Sequence, residues 1–597
     1  MKSSFLIALL LVVCATVDAA DKPQALVKAA RAILDDWHNQ KPEKDQRYLH
    51  IVCWTPSDRE LPKDYRPRLT RMMQHIQDFY AKEMSRHGFG ERSFNLRIAD
   101  DKLLDLRTVT GKFEASHYAV QSGGEIRREC LPVLKKAGIQ AEDETILIFC
   151  NLATWDAERK VFRHKSPYYA GGSYLGGTAW QLDSPELDSL NLKLKKPIIS
   201  DGQYGRISLG KHNSIFIGGI AHELGHALGL PHCKERPDEA VRGTALMGSG
   251  NRTYGDEVRG DGPGSFITLA HAMRLASHPQ FSGSLKGFET TAKASIDGLK
   301  VTADKKAINV SGVVQGKPPV YGVVAYFDPE GGGDYNSTTA VAVPDADGQF
   351  SLSTTALPPG KLGQLRLFPL HTNGSAAAQM SQTRFSYPYR IADDGTPDLS
   401  VMQLRLDLKS IIAAIQSKDK AAANKLASHL KSEQATKIAA RLTRQSPTQT
   451  PADYDGDETE IPLTNFKASE IKVGWARPTF DRVPSPTVLL ESAGRIFQTG
   501  IYAHAPARHV YQVGGMWKML TGKAGIDASH NGSVQFEIKA DGKSVWKSRT
   551  TRSGKLREFR IDLDGVKEIE LLTHPTKDGP GSDWSLWLEP TLSRTAK

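Results

Sequence analysis

The chain has 597 residues, with 77 Lys and Arg against 67 Asp and Glu and a net charge of +10. That length calls for several domains rather than one core. The excess charge is diffuse, with Lys193, Lys195 and Lys196 the nearest approach to a basic block, so a solvated surface and no nucleic-acid partner are expected.

Met1-Lys2-Ser3-Ser4 is a short basic start, Phe5 to Ala15 an apolar run, and Val17-Asp18-Ala19 supplies small residues for cleavage. The run is too short to span a membrane. Residues 1–19 are expected to be a signal peptide, and the mature chain secreted, periplasmic or at the cell surface. No later segment approaches the length of a transmembrane helix. Beyond the leader lie Cys53, Cys130, Cys150 and Cys233. In an exported chain this even count allows two disulfides in any of three pairings; the alternative is buried free thiols.

Residues 20–47 hold one amphipathic stretch, Ala25 to Trp37, expected to pack as a helix on the next domain. Residues 48–282 alternate between strand and helix patterns. Strands are expected over Tyr48–Trp54, Phe94–Ile98 and Thr145–Cys150, and helices over Pro67–Arg86 and Gly124–Lys136. In the first helix Leu69, Met72, Met73, Ile76, Phe79 and Met84 recur at helical spacing. Gly171 to Trp180 is glycine-rich and ends strand-like. Phe266 to Ser277 reads as a closing helix.

Within this region stands His222-Glu223-Leu224-Gly225-His226-Ala227-Leu228-Gly229-Leu230-Pro231-His232. On a helix, His222 and His226 are one turn apart and point the same way. Gly229 suits a helix end and Pro231 cannot continue the helix, so the chain must turn and can bring His232 back as a third ligand. Three histidines leave a fourth position open, the pattern of a catalytic Zn²⁺ site. Glu223 lies beside them as a candidate general base.

Downstream, Met247 sits in the small-residue turn Arg242 to Asn251. Together with the long histidine motif this resembles the metzincin zinc endopeptidases. The resemblance implies that Met247 is the Met-turn residue beneath the metal, and that an extended peptide pairs with an edge strand above the cleft. By position that edge would be Gly176 to Trp180; the alternative is an ordinary hairpin. Ser249 stands where several metzincin families carry a tyrosine, and Tyr254 is the nearest tyrosine. Cys233, directly after the third histidine, matches none of the common subfamily choices.

Residues 283–390 change to short alternating strands separated by Gly, Pro and Asp-Gly turns, which predicts a β-sandwich. No catalytic constellation appears there, and the region reads as a spacer or interaction module. Residues 391–444 are helical, a small hairpin or rigid spacer. Residues 445–460 read as a solvated acidic linker; Asp453 to Glu458 lacks full EF-hand spacing. Residues 461–597 are again β-rich. Phe497 to Ala505, Val534 to Lys543 and Ser582 to Trp587 resemble the NPCBM domain, a jelly-roll family proposed to bind carbohydrate. That resemblance implies stacking of Trp584 or Trp587 on a sugar face and hydroxyl contacts from His504 or Asp583. The alternative places both tryptophans in the core.

The expectation is thus a multidomain chain: an α/β metzincin-like catalytic domain, a β-sandwich, a short helical segment and a C-terminal β jelly roll. It would be a secreted zinc endopeptidase acting on a protein or glycoprotein substrate, with a glycan partner for the C-terminal domain. The alternative is a non-catalytic glycan-binding surface protein with a structural metal site.

Overall fold

The computed structural model describes residues 21–40, 46–331, 333–376, 383–484 and 488–595. The leader expected over 1–19 lies outside the described residues. No described helix is long and apolar enough to cross a membrane. The chain forms two compact units, one of residues up to 387 with 391–397, the other of 388–390 with 398–597.

The first unit begins with helix α1 (Asp21–Gln40), which buries Val27, Ala30 and Leu34. It is pinned by Arg31, whose guanidinium donates to the Gly88 carbonyl at 2.9 Å, and by the Lys286 ammonium 4.2 Å above the Trp37 ring. Strand β1 (Leu49–Thr55) is buried along its whole length, as expected of an apolar run covered on both faces. Helix α2 (Tyr65–Arg86) covers one face with Leu69, Met72, Met73, Ile76 and Met84. Strand β2 (Arg107–Thr110), helix α3 (Gly123–Lys136) and strand β3 (Thr145–Cys150) come next. Phe94–Ile98 does not form the expected strand. It makes only isolated bridges, at Leu96 and Ile98, and β2 takes the place beside β1.

Strands β4 (Tyr169–Gly172) and β5 (Gly177–Leu182) complete the sheet in the order β2-β1-β3-β5-β4. All pairings are parallel except the last, where Tyr169 faces Trp180 antiparallel. The glycine-rich stretch is therefore a hairpin whose outer arm is the edge. The edge expected at Gly176 to Trp180 is instead an interior strand. A second, four-stranded sheet, Ala153–Asp156, Val161–His164, Ile198–Asp201 and Gly205–Ser208, was not read from the sequence.

Cys53, Cys130, Cys150 and Cys233 are each free and buried. Cys53 stands opposite Phe149, while Cys150 stands opposite Trp54. Offset by one residue in the paired strands, the two thiols point to opposite faces. Cys53 enters the core under α2, and Cys150 joins Cys130 beneath α3.

Helix α4 (Leu209–Ala227) runs through the interior, with every residue from His212 to Ala227 buried. The Ser208 hydroxyl caps its start by accepting from the Lys211 amide at 3.0 Å. Helix α5 (Leu269–Ala276) lies within the stretch expected to be helical.

The β-rich region is two sheets. One pairs Lys293–Asp304, Ala307–Lys317 and Gln349–Thr354; the other is built on β6 (Val320–Pro329), flanked by Thr338–Ala342 and Leu362–His371. Tyr321, Val324, Tyr326, Phe368 and Leu370 belong to the same buried cluster as α2, α4 and α5. Val324, Phe368 and Leu370 each contribute roughly 1.5–3 kcal/mol by burial. That holds the sandwich to the α/β region as one unit rather than as a spacer.

In the second unit, helices α6 (Ser400–Gln416), α7 (Lys420–Ala427) and α8 (Glu433–Thr443) bury Leu404, Leu408, Ile411, Ile438 and Leu442 against Val488, Leu489 and Ile496. Two antiparallel sheets then enclose Trp517 and Trp587. Residues 445–460 are not a free linker. Pro451 accepts from the Trp517 indole at 3.2 Å, and Arg594 donates to the carbonyls of Gly456 at 2.8 Å and Tyr454 at 3.3 Å. The Tyr454 ring lies 6.0 Å from that of Trp517.

Candidate metal centre

The helix that carries the motif ends as its glycine predicts. Gly229 has φ of 85°, its amide donates to His226 O at 2.9 Å, and the Leu230 amide donates to Gly225 O at 2.9 Å. These two bonds make a Schellman end. The carbonyl of Gly229 accepts from Arg274 at 2.9 Å. The turn carries His232 back to His226, and the two Nε2 atoms are 2.9 Å apart. Among the described residues, His222, His226 and His232 bring one ligand nitrogen each within 4.8 Å of one another.

The outer nitrogen of each ring is occupied. Nδ1 of His222 donates to Leu246 O at 2.7 Å, that of His226 to Leu230 O at 2.8 Å, and that of His232 to Asp334 Oδ1 at 2.8 Å. With Nδ1 protonated, every Nε2 keeps a lone pair directed at the common point. Burial and the neighbouring imidazoles push His222 down to about 3, and burial above all pushes His226 down to about 4. Three imidazoles with convergent Nε2 atoms and fixed outer nitrogens are the donor set that zinc requires.

Glu223 projects from the same helix, is 7% exposed, and is raised by burial to about 7. Met247 is buried beneath the helix. A methyl on Gly225 would come within 2.5 Å of its sulfur, so the absence of a side chain at 225 lets the turn approach. Leu246 in this turn is also the acceptor for His222. Tyr254 is 7% exposed and packs against Phe79 at 5.0 Å and His75 at 5.6 Å.

Sequence reasoning missed the sandwich's contribution. The turn after β6, Gly333–Asn336, places Asp334 on His232 and lays the Tyr335 ring over the same imidazole, with centroids 3.5 Å apart and planes 25° apart. Tyr335 is also parallel to His222 at 6.4 Å and 9°. The Lys234 amide donates to Ser337 O at 2.6 Å, tying this turn to the chain just after the third histidine. The available signal was an acid and an aromatic in a glycine-rich loop, Glu330 to Asn336, where scaffolds commonly carry function. Tyr168 was missed too. Its buried hydroxyl stands where a side chain at Gly219 would be, one turn before Glu223.

In the second unit the four candidate sugar-contact residues separate. Trp587 is fully buried in the core between Phe536 and Phe559, which excludes it from a surface role. Asp583 is fully buried and accepts from the Ser533 amide at 2.9 Å. Trp584 is 7% exposed, stacked on His530 at 4.1 Å and 6°, and 5.0 Å from Trp475, which is 54% exposed. His504 lies 6.2 Å from Trp475, its Nδ1 bonded to Ala505 O at 2.9 Å. Trp475 and His530 join this cluster although the sequence did not single them out.

Residues 459–593 match the family model of the NPCBM/NEW2 domain. The C-terminal region is an NPCBM domain. No curated protein matches the chain. Among solved structures, catalytically inactive OgpA from Akkermansia muciniphila, in complex with an O-glycopeptide substrate, is 25% identical with a TM-score of 0.47, over 56% of this chain and 91% of that one. The CBM51 of Clostridium perfringens GH95 with methyl-galactose is 20% identical with a TM-score of 0.21, over 23% of this chain and 100% of that one. The M60 catalytic domain of Clostridium perfringens ZmpB with its two CBM51 domains is 14% identical with a TM-score of 0.22, over 64% and 40%.

Proposed function

We propose that this chain is a secreted zinc-dependent endopeptidase of metzincin type that acts on glycoproteins or at a glycan-rich surface. One observation carries the peptidase reading: three histidines whose Nδ1 atoms are all engaged as donors direct Nε2 at one point, beside a buried carboxylate. Zinc bound by His222, His226 and His232 supplies a Lewis acid that polarises a carbonyl and eases deprotonation of water. Glu223 accepts the proton of the attacking water and returns it to the leaving amine. Burial raises its carboxyl above the usual carboxylate range, which makes it a stronger base toward that proton.

The edge strand β4 supports an extended substrate. It is the outermost strand of its sheet, and a side chain on its Gly172 would come within 2.0 Å of Ala227 O at the end of α4. A peptide added along that edge would run beside the histidines, its main chain pairing with β4. In the NPCBM domain, the half-exposed Trp475 backed by Trp584, His504 and His530 offers a flat apolar face with polar neighbours, suited to a sugar ring.

The deciding experiment is Glu223→Ala measured against wild type for zinc content and for hydrolysis of casein and mucin. The variant is expected to hold about one zinc and to lose at least about a hundredfold in rate. Equal rates would end the peptidase assignment.

A further inference from the structure

Peptide hydrolysis at this centre leaves one need unmet. As water adds to the scissile carbonyl, negative charge gathers on its oxygen, and a hydrogen-bond donor aimed at that oxygen is the usual companion of the Lewis acid. The Met-turn does not provide a phenol: Ser249 occupies the position where the resemblance expects one, and Tyr254 is packed under α4 against Phe79 and His75.

Tyr335 is the half-exposed phenol over this site. Its ring covers the face of His232 and runs parallel to His222, and the residue remains 48% exposed. Its neighbour Asp334 is fixed on His232, and the Ser337 amide donates to Asp334 O at 3.1 Å, closing the turn that holds both. Packing on the imidazole restricts the ring, so the phenol sits over the histidine cluster with little rotational freedom left to lose. A donor held in advance stabilises developing charge without reorganising at the moment of reaction.

Resting on the peptidase reading, we propose that Tyr335, delivered by the β-sandwich, is a catalytic residue that donates its phenolic hydrogen bond to the carbonyl oxygen as that oxygen becomes an oxyanion. In the first step the water oxygen bonds to the carbonyl carbon, its proton passes to Glu223, and the carbonyl electron pair moves to the oxygen facing Tyr335. In the second the carbon–nitrogen bond breaks, the pair returns, and Glu223 protonates the departing amine. Tyr335 keeps its proton throughout.

The test uses the full-length zinc-loaded chain, with Tyr335→Phe and Tyr335→Ala beside wild type. Three readouts are needed: kcat and KM on fluorescein-labelled casein, zinc content, and calorimetric affinity for phenylphosphonate, a tetrahedral anion, against acetohydroxamate, a planar one. Tyr335→Phe is expected to keep about one zinc and a KM within about twofold, to lose about a hundredfold in kcat, and to weaken phenylphosphonate selectively, as loss of one oxyanion donor does. Wild-type kcat in Tyr335→Phe with a defect only in Tyr335→Ala would make the ring a platform and overturn the proposal. Loss of zinc in Tyr335→Phe would overturn it too, by making the residue structural. If the wild-type protein holds zinc yet cleaves nothing and binds neither probe, the peptidase reading itself fails. Full wild-type cleavage with an indifferent Tyr335→Phe would sink the tyrosine alone.

Discussion

Asp334 accepts the Nδ1 proton of His232 at 2.8 Å, and the two residues are 102 positions apart in the chain. One belongs to the third arm of the histidine motif, the other to a turn of the β-sandwich. A carboxylate on the outer nitrogen fixes the tautomer and makes the inner nitrogen a better donor to a cation. Asp334→Ala is therefore expected to weaken zinc about 10- to 100-fold, read by competition with a chelating dye. Asp334→Asn, which keeps an acceptor but not the charge, should fall between. Unchanged affinity in both variants would show that His232 is held by its turn alone.

The edge strand depends on a glycine for its closeness to the motif helix. A methyl on Gly172 would meet the backbone oxygen of Ala227 at 2.0 Å, and a backbone atom cannot swing away. Gly172→Ala is expected to cost about 1–3 kcal/mol, as overpacking does, and to reduce peptide hydrolysis with zinc still bound. Thermal unfolding and casein turnover would read the two effects. A variant that is destabilised yet fully active would remove β4 from substrate binding.

Trp475 and Trp587 should behave oppositely. Trp475→Ala removes a half-exposed ring and is expected to leave unfolding within about 0.5 kcal/mol of wild type while abolishing glycan binding on an array. Trp587→Ala opens the centre of the module's core and is expected to cost about 3–5 kcal/mol. Retained glycan binding in Trp475→Ala would place the sugar elsewhere.

The second unit carries a pH-dependent term. His509 is fully buried, neither of its ring nitrogens has a hydrogen-bond partner, and burial pushes it down to about 4. Between its ordinary value of 6.5 and about 4, the unfolded chain binds a proton that the folded chain refuses. Stability therefore falls as pH falls through that window, by at most about 1.4 kcal/mol per pH unit, and levels off below it. His509→Met should flatten this part of the melting-temperature profile. A profile with the same slope in the variant would assign it to other groups.

What could be read from the residues alone was local. The histidine ligands, Glu223 and the turn at Gly229 lie within one short consecutive stretch, where helix periodicity and a glycine end determine geometry. The long helices and apolar strands were legible for the same reason. Asp334 and Tyr335 were not, because nothing in a short loop tells which distant imidazole it will meet; only the docking of β6 against α5 decides that. Tyr169–Gly172 was missed as a strand because it is short and poor in β-branched residues. Trp475 escaped notice because it sits in a loop with no period to break. The free cysteines result from strand register: a one-residue offset between Cys53 and Cys150 is invisible until the strands are paired.

The shared core beneath the sandwich changes what counts as the smallest working piece. A fragment cut after residue 282 would retain every histidine of the motif and Glu223, and would look complete by composition. It would leave the outer nitrogen of His232 to water, strip the aromatic lid from its face, and expose the side of α5 that Tyr321, Phe368 and Leu370 now cover. Expression boundaries for an active form therefore belong beyond the sandwich, and grafting the histidine helix into another scaffold would transplant the ligands without the wall that aims them.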